Sequence, residues 1–156
     1  MGRILDSVAH FLETDDWPHS LVEDRPVYKT GFEGKNGQFT CYAQEREEQQ
    51  QFVFYSVFPV RAPENKFGEV AEFINRANYG MIIGNFEIDY SDGEIRYKTS
   101  VDVEDVEIAD PLISHLIYAN VLTIDKYFPG LMRVLYAGIS PLDAINEVEG
   151  QENSSA

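Results

Sequence analysis

The chain has 156 residues, 44% of them apolar and 13% aromatic, which is one domain's length with material for a single sizeable core and excludes a disordered chain. Twelve basic against twenty-seven acidic residues leave a formal charge of −15. That field repels phosphate backbones and anionic lipid heads, so neither nucleic acid nor a membrane is expected as a direct partner.

The first predicted element is an amphipathic helix over 2–14, with Ile4, Val8, Phe11 and Leu12 on one stripe and Trp17-Pro18 beyond its end. Asp6 and His10 interrupt this segment, which therefore lacks the pattern of a secretory signal. No apolar run approaches the ~20 residues of a membrane span, and a cytoplasmic location is expected.

Two strand-like runs follow, "PVYKTGFEG" and "GQFTCYAQERE", around Asn36-Gly37, a strong hairpin signal. With Asn36 and Gly37 as the turn pair, Phe32 faces Cys41 and Thr30 faces Ala43 on the inner side. Lys29, Glu33, Thr40, Tyr42 and Gln44 then point outward. The third run, "QFVFYSVFPV" (51–60), is apolar on both faces. Phe52, Phe54 and Phe58 share one side, Val53, Tyr55 and Val57 the other. Such a strand calls for cover on both sides, a helix on one and this chain or another copy on the other.

Residues 63–79 read as a second helix, with Pro63 in its first turn, Phe67, Val70, Ala71, Ile74 and Ala77 as its stripe, and Gly80 as a left-handed stop. A second hairpin is predicted around Asp92-Gly93. Its register sets Glu87 against Lys98 and Asp89 against Arg96 outside, and Phe86 against Thr99, Ile88 against Tyr97 and Tyr90 against Ile95 inside. The acids of this stretch are then the solvated skin of a sheet.

Asp110-Pro111 marks a helix cap and first position. Beyond it, Leu112, Ile113, Leu116, Ile117, Val121, Ile124 and Phe128 form a wide apolar stripe, Pro129 kinks or restarts the helix, and a stop falls near Gly138. Ser140-Pro141 opens a short last helix, with Asp143 in a capping box and Leu142, Ile145 and Val148 facing inward. Residues 1–148 are read as one domain and 149–156 as a flexible tail. The fold class is α+β: a five-stranded, mainly antiparallel sheet with helices packed on one face, in the order α-βββ-α-ββ-α.

Motifs for chemistry are sparse. The single cysteine allows neither an internal disulfide nor a cysteine-rich zinc site, and its strand position reads as buried. Gly31, Gly34 and Gly37 suggest a phosphate cradle, but no helix N-terminus follows them, and a hairpin tip is the simpler reading. The acids from Asp89 do not match a calcium loop, since Gly93 falls at the fifth position and Glu94 at the sixth. The acidic run 102–110 could hold a hard divalent ion; a charged edge that discourages strand pairing explains it more simply. His10, His19 and His115 are scattered. No catalytic, cofactor or metal residue is nominated, and the protein is not expected to be an enzyme.

Five strings, "LVEDRPV", "GKNGQF", "CYAQEREEQQQFVFYSVFPV", "AEFINRANYGMIIGNFEIDYSDGEIRYKTSVDVE" and "IYANVLTIDKYFPGLM", span most of residues 20–135. They resemble the YbjN family, in particular a branch of photosynthetic bacteria. The resemblance implies a sensory-transduction regulator with a fold like that of type III secretion chaperones, which are acidic, dimeric and bind extended protein segments. It supplies no catalytic motif. The expectation is a chaperone-like protein-binding or regulatory module acting as a homodimer, with a ligand- or ion-responsive sensor, or an enzyme of unknown class, as the alternatives. The surplus apolar surface of strand 51–60 and of the stripe over 112–135 nominates Val53, Tyr55, Val57, Tyr118, Leu122 and Tyr127 for the interface.

Overall fold

A computed structural model describes residues 2–154 of the chain, with side chains described for residues 2–150. Among the described residues are six strands and four α-helices. In chain order they are α1 (Arg3–Thr14), β1 (His19–Leu21), β2 (Val27–Glu33), β3 (Gln38–Arg46), β4 (Gln51–Val57), α2 (Phe67–Asn78), β5 (Asn85–Ile88), β6 (Ile95–Asp102), α3 (Asp110–Tyr136) and α4 (Pro141–Ser154). The strands form one antiparallel sheet in the order β1-β2-β3-β4-β6-β5. The sheet thus has six strands rather than five, because His19–Leu21 adds a three-residue edge strand along β2. So short and polar a run carries no alternation to read.

All four helices lie on one side of the sheet. Phe39, Cys41, Ala43, Phe52, Phe54, Ile95, Tyr97 and Thr99 point into that layer, each no more than 3% exposed. Against them pack Ile4, Leu5, Val8 and Leu12 of α1, Val70 and Phe73 of α2, and Ile113, Ile117, Ile124 and Leu131 of α3. One buried polar knot fixes α3 to the sheet. Asn120 donates to the carbonyls of Phe54 (2.9 Å) and Tyr97 (3.1 Å) and accepts from the Ser56 hydroxyl (2.6 Å). Thr99 completes the knot by donating to the Leu116 carbonyl at 3.0 Å. On the inner face of β3, buried Glu45 accepts from the N–H groups of Gly2 (3.0 Å) and Ile4 (3.1 Å), satisfying the open end of α1.

Both predicted hairpins form, each two residues out of the expected register. In the first, Phe32 pairs with Phe39 and Thr30 with Cys41, and the turn residues are Lys35 and Asn36. In the second, Phe86 pairs with Tyr97 and Glu87 with Arg96, closed by a longer loop in which Gly93 has φ +80°. A two-residue slip preserves the face of every paired side chain, so inside and outside along the strands remain as expected, but Tyr90, expected inside, lies beyond β5 and is 61% exposed, stacked on Phe67. Asp89 leaves the ladder's skin and instead accepts from the Ser91 hydroxyl (2.6 Å) and N–H (2.8 Å). Those two bonds, the hydroxyl's first, hold its carboxyl below the ordinary range.

The cause of the first shift is tertiary. Asp125 of α3, 6% exposed, accepts from the backbone N–H groups of Lys35 (3.0 Å), Asn36 (2.9 Å) and Gly37 (2.9 Å). Pro129 cannot donate to the carbonyl four residues back, which is that of Asp125; the Asn36 side-chain amide takes that orphan at 3.0 Å. A Cβ on Gly34 would overlap the Asp125 carboxylate, and one on Gly37 would sit 2.9 Å from the Phe128 ring. The glycine-rich tip is therefore an anion cradle after all, and its anion is the protein's own.

Further corrections follow from packing. Helix α3 runs unbroken through Pro129, with Asn36 supplying the missing partner. Its N-cap is Ala109, and Asp110 lies in the first turn. Helix α4 begins as expected, with the Asp143 N–H donating to the Ser140 hydroxyl at 3.1 Å, and buries Ala144, Ile145 and Val148. Leu142 does not face inward, being 46% exposed. The helix continues through Glu149 to Ser154, where a tail was expected; residues 155 and 156 lie outside the described residues. The acidic run after Asp102 is not a sheet edge. It is the loop from β6 to α3, and Arg3 donates to its carbonyls at Val103 and Val106.

Candidate protein-binding face of the sheet

The side of the sheet away from the helices is covered by none of the described elements. Alternation along each strand decides what it displays. Cross-strand register builds one row at its centre: Lys29 lies beside Tyr42, Tyr42 beside Tyr55, and Tyr55 beside Lys98. Val53 and Val57 flank Tyr55 two residues away on β4. The row crosses β2, β3, β4 and β6, so its two lysines stand about 14 Å apart at ordinary strand spacing.

Polar contacts hold part of this face in place. The Arg96 guanidinium lies 4.0 Å from the centre of the Tyr55 ring, a cation–π stack. Glu87 accepts from both Arg96 (2.9 Å) and Lys98 (3.2 Å). Arg46 donates to the Gln51 side chain at 3.0 Å. Next to the tyrosine row is a shallow depression of about 520 Å³, with Val53 in its lining beside Gln44, Arg46, Tyr55, Lys98 and Asp102. Val53 is only 8% exposed, while Tyr42, Tyr55 and Val57 are half-buried. The face is thus amphipathic and partly ordered, with aromatic and aliphatic groups framed by bases.

The six residues nominated from sequence do not form one surface. Val53, Tyr55 and Val57 lie on this open face, and the other three lie on α3, across the sheet. Tyr118 packs edge-on against Phe11 and Trp17 and donates to Asp15 at 2.8 Å. Leu122 is 57% exposed beside the hairpin tip. Tyr127 is buried at 5% exposure between Phe73 and Phe86, with its hydroxyl donating to Glu149 at 2.8 Å, and is core rather than interface. A helical stripe wider than one contact reads as surplus in sequence; here the sheet, α1, α2 and α4 cover most of its width, and Leu122 stays exposed.

Sequence reasoning missed a second exposed apolar site, the loop between α2 and β5. Tyr79 is 91% exposed, Ile82 89% and Ile83 49%. The backbone beneath them is held: the Tyr97 hydroxyl donates to the Ile83 carbonyl at 2.6 Å, and Gly80 and Gly84 take φ +88° and +82°. The bracketing glycines of "GMIIG" were the available signal. Next to this loop, Asn78 closes the edge of β5, its side chain accepting from the Phe86 N–H (2.7 Å) and donating to the Phe86 carbonyl (3.1 Å).

The other sequence candidates separate. Cys41 is fully buried beside the Ser56 hydroxyl (3.3 Å), and burial, only partly offset by that hydrogen bond, pushes its thiol up to about 11. Such a thiol is a packing group, not a nucleophile. His10 approaches Asp110 at 3.5 Å on an exposed surface, and the His19 ring meets the Trp17 carbonyl at 2.7 Å. Among the described residues no three His, Cys, Asp or Glu side chains are grouped to hold a metal ion. No helix among them is long and apolar enough to cross a membrane, the 27-residue α3 included.

A four-helix layer on one face of a six-stranded antiparallel sheet, with an amphipathic second face left open, defines an α+β module. The family model described as "Putative bacterial sensory transduction regulator" matches residues 5–133, and the chain belongs to this family, YbjN. The match is to the family as a whole. No curated protein matches the chain. Among solved structures, the crystal structure of YbjN from E. coli, described as a putative transcription regulator, is similar with a TM-score of 0.60 at 10% identity. The likeness covers 86% of this chain and 90% of that one and bears on the fold alone. The HopA1-SchA chaperone-effector complex contains a chain similar at a TM-score of 0.49 and 13% identity, over 81% of this chain and 91% of that one.

Proposed function

We propose that this chain is a non-enzymatic, chaperone-like regulatory module that binds a protein partner through the open face of its sheet. The observation that carries this reading is the open centre of that face, where half-buried Tyr42, Tyr55 and Val57 adjoin over buried Val53 within a frame of charged side chains. Tyrosine offers large contact area at low entropic cost, and Tyr and Arg, stacked here as Tyr55 and Arg96, are residue types enriched in binding hot spots. Membership of a family described as regulators of sensory transduction supports it.

A photo-crosslinking residue at Tyr42, expressed in native cells, tests the proposal. Adducts are expected from that position, and Val57→Asp should abolish them. Equal yields from a crosslinker at exposed His115, on the helix side, would refute it.

The expected homodimer is assigned to a different surface. The Tyr79–Ile83 loop carries the most exposed large apolar side chains of the chain's described part, on a firmly held backbone. Light scattering at micromolar concentration should give a dimer that Ile82→Asp dissociates and Val57→Asp leaves intact. A wild-type monomer would remove self-association from the proposal, and a dimer broken only by Val57→Asp would return it to the sheet.

A further inference from the structure

The net charge conceals a sharp inhomogeneity. The strands of the open face carry four cations, Lys29, Arg46, Arg96 and Lys98, against three acids, Glu33, Glu87 and Asp102, a net of +1, and Asp89 and Glu94 border Arg96 just beyond the strand ends. The rest of the chain carries eight bases against twenty-four acids, a net of −16. Lys29 and Lys98 flank the tyrosine pair, Glu33 and Asp102 lie toward strand ends, and Glu87 on the edge strand pairs with Lys98 and Arg96. Lys29 is exposed at one end of the row, and Lys98 at the other shares Glu87 with Arg96.

We infer that the occupant of this face is a short acidic peptide segment carrying apolar side chains. The inference rests on the sheet-face reading above and specifies its partner. Apolar groups of the segment would lie on Tyr42, Tyr55 and Val57, and its carboxylates would reach Lys29 on one side and Lys98 with Arg96 on the other. About 14 Å between the two lysines is four residues of extended chain, so acids at i and i+4 span the row.

Two other occupants fit less well. A second copy seated face to face brings the same set of bases, with no surplus of acids to meet the exposed Lys29, and so adds no charge complementarity. A nucleic-acid strand, with a charge at every nucleotide, runs from a patch only four strands wide into surroundings of net −16. A peptide with two or three acids ends where the bases end.

The test pans a random 12-residue peptide library against the full chain, with Lys29→Glu/Lys98→Glu as counter-selection. Circular dichroism and a melting curve establish that the variant is folded. Peptides enriched on the wild type should combine Asp or Glu with aromatic or aliphatic residues. By fluorescence polarisation they should bind the double variant at least about tenfold more weakly, with affinity falling as salt rises, as screened charge pairs require. Tyr42→Ala should weaken the same peptides, and Lys66→Glu, outside the face, should not. Enrichment of neutral or basic peptides that still need Tyr42 overturns the acidic partner while leaving the sheet-face reading intact. Enrichment that depends on neither substitution overturns both. Binding of a 12-nucleotide oligothymidylate that exceeds that of the peptides and is lost in the double variant overturns the peptide in favour of nucleic acid.

Discussion

Removing the Asp125 carboxylate tests whether the β2–β3 hairpin takes its register from helix α3. Asp125 receives three backbone N–H bonds of 2.9 to 3.0 Å from Lys35, Asn36 and Gly37. Hydrogen bonds to a charged group contribute ~1.5–3 kcal/mol each. The residues Lys35 and Asn36 are exposed, so their N–H groups recover water when the carboxylate is lost, and the simple sum overstates the effect. Asp125→Ala is expected to cost about 2–4 kcal/mol. Asp125→Asn keeps Oδ1 for Asn36 and Gly37 but turns a donor toward Lys35, and should cost about 1–2 kcal/mol. Gly34→Ala places a methyl group into the carboxylate and should cost more than about 2 kcal/mol, by overpacking a site with no room. In the Asp125→Ala background most of that cost should vanish, because the obstructing group is gone. Urea unfolding of the four proteins in the Gly34/Asp125 cycle measures the coupling, and amide exchange at 35–37 locates it. Additivity within about 0.5 kcal/mol would mean that the two sites act independently and would refute the clamp.

Three further outcomes are expected. Asn120→Leu strips partners from the Phe54 and Tyr97 carbonyls and the Ser56 hydroxyl inside the core, and should destabilise by ~3 kcal/mol or more in chemical unfolding; a loss under about 1 kcal/mol would show that the knot is dispensable. Cys41 should react with a disulfide reagent only as fast as the protein opens. Its folded pKa of about 11 lies above the ordinary thiol value of 9.0, so its contribution to stability is full below pH 9 and is lost as pH rises through 11. Comparing alkaline unfolding with Cys41→Ala checks that window, and identical pH profiles would contradict it. Asn78→Ala uncovers the Phe86 N–H and carbonyl at the edge of β5 and should produce concentration-dependent association in light scattering; unchanged scattering would deny the amide its blocking role.

The amino-acid sequence by itself determined which faces are which. Alternation in "QFTCYAQER" and "QFVFYSV" assigns Cys41, Ala43, Phe52 and Phe54 to one side and Tyr42, Val53, Tyr55 and Val57 to the other, because a strand's side chains alternate whatever its partner. The helical stripes followed equally from period, as Val70, Ile74 and Ala77 show. Tertiary structure decided the quantities that local pattern leaves open. Asn36-Gly37 favours a tight turn locally, yet three N–H bonds to a carboxylate 88 to 90 residues away hold the turn at Lys35-Asn36. Tyr127 belongs to a stripe that looks like surplus until Phe73 and Phe86 close over it. The row from Lys29 to Lys98 joins residues of four strands, and only the strand order β2-β3-β4-β6 sets them side by side. Periodicity is a property of one segment's own backbone, whereas register, burial and a composite surface depend on which segments meet.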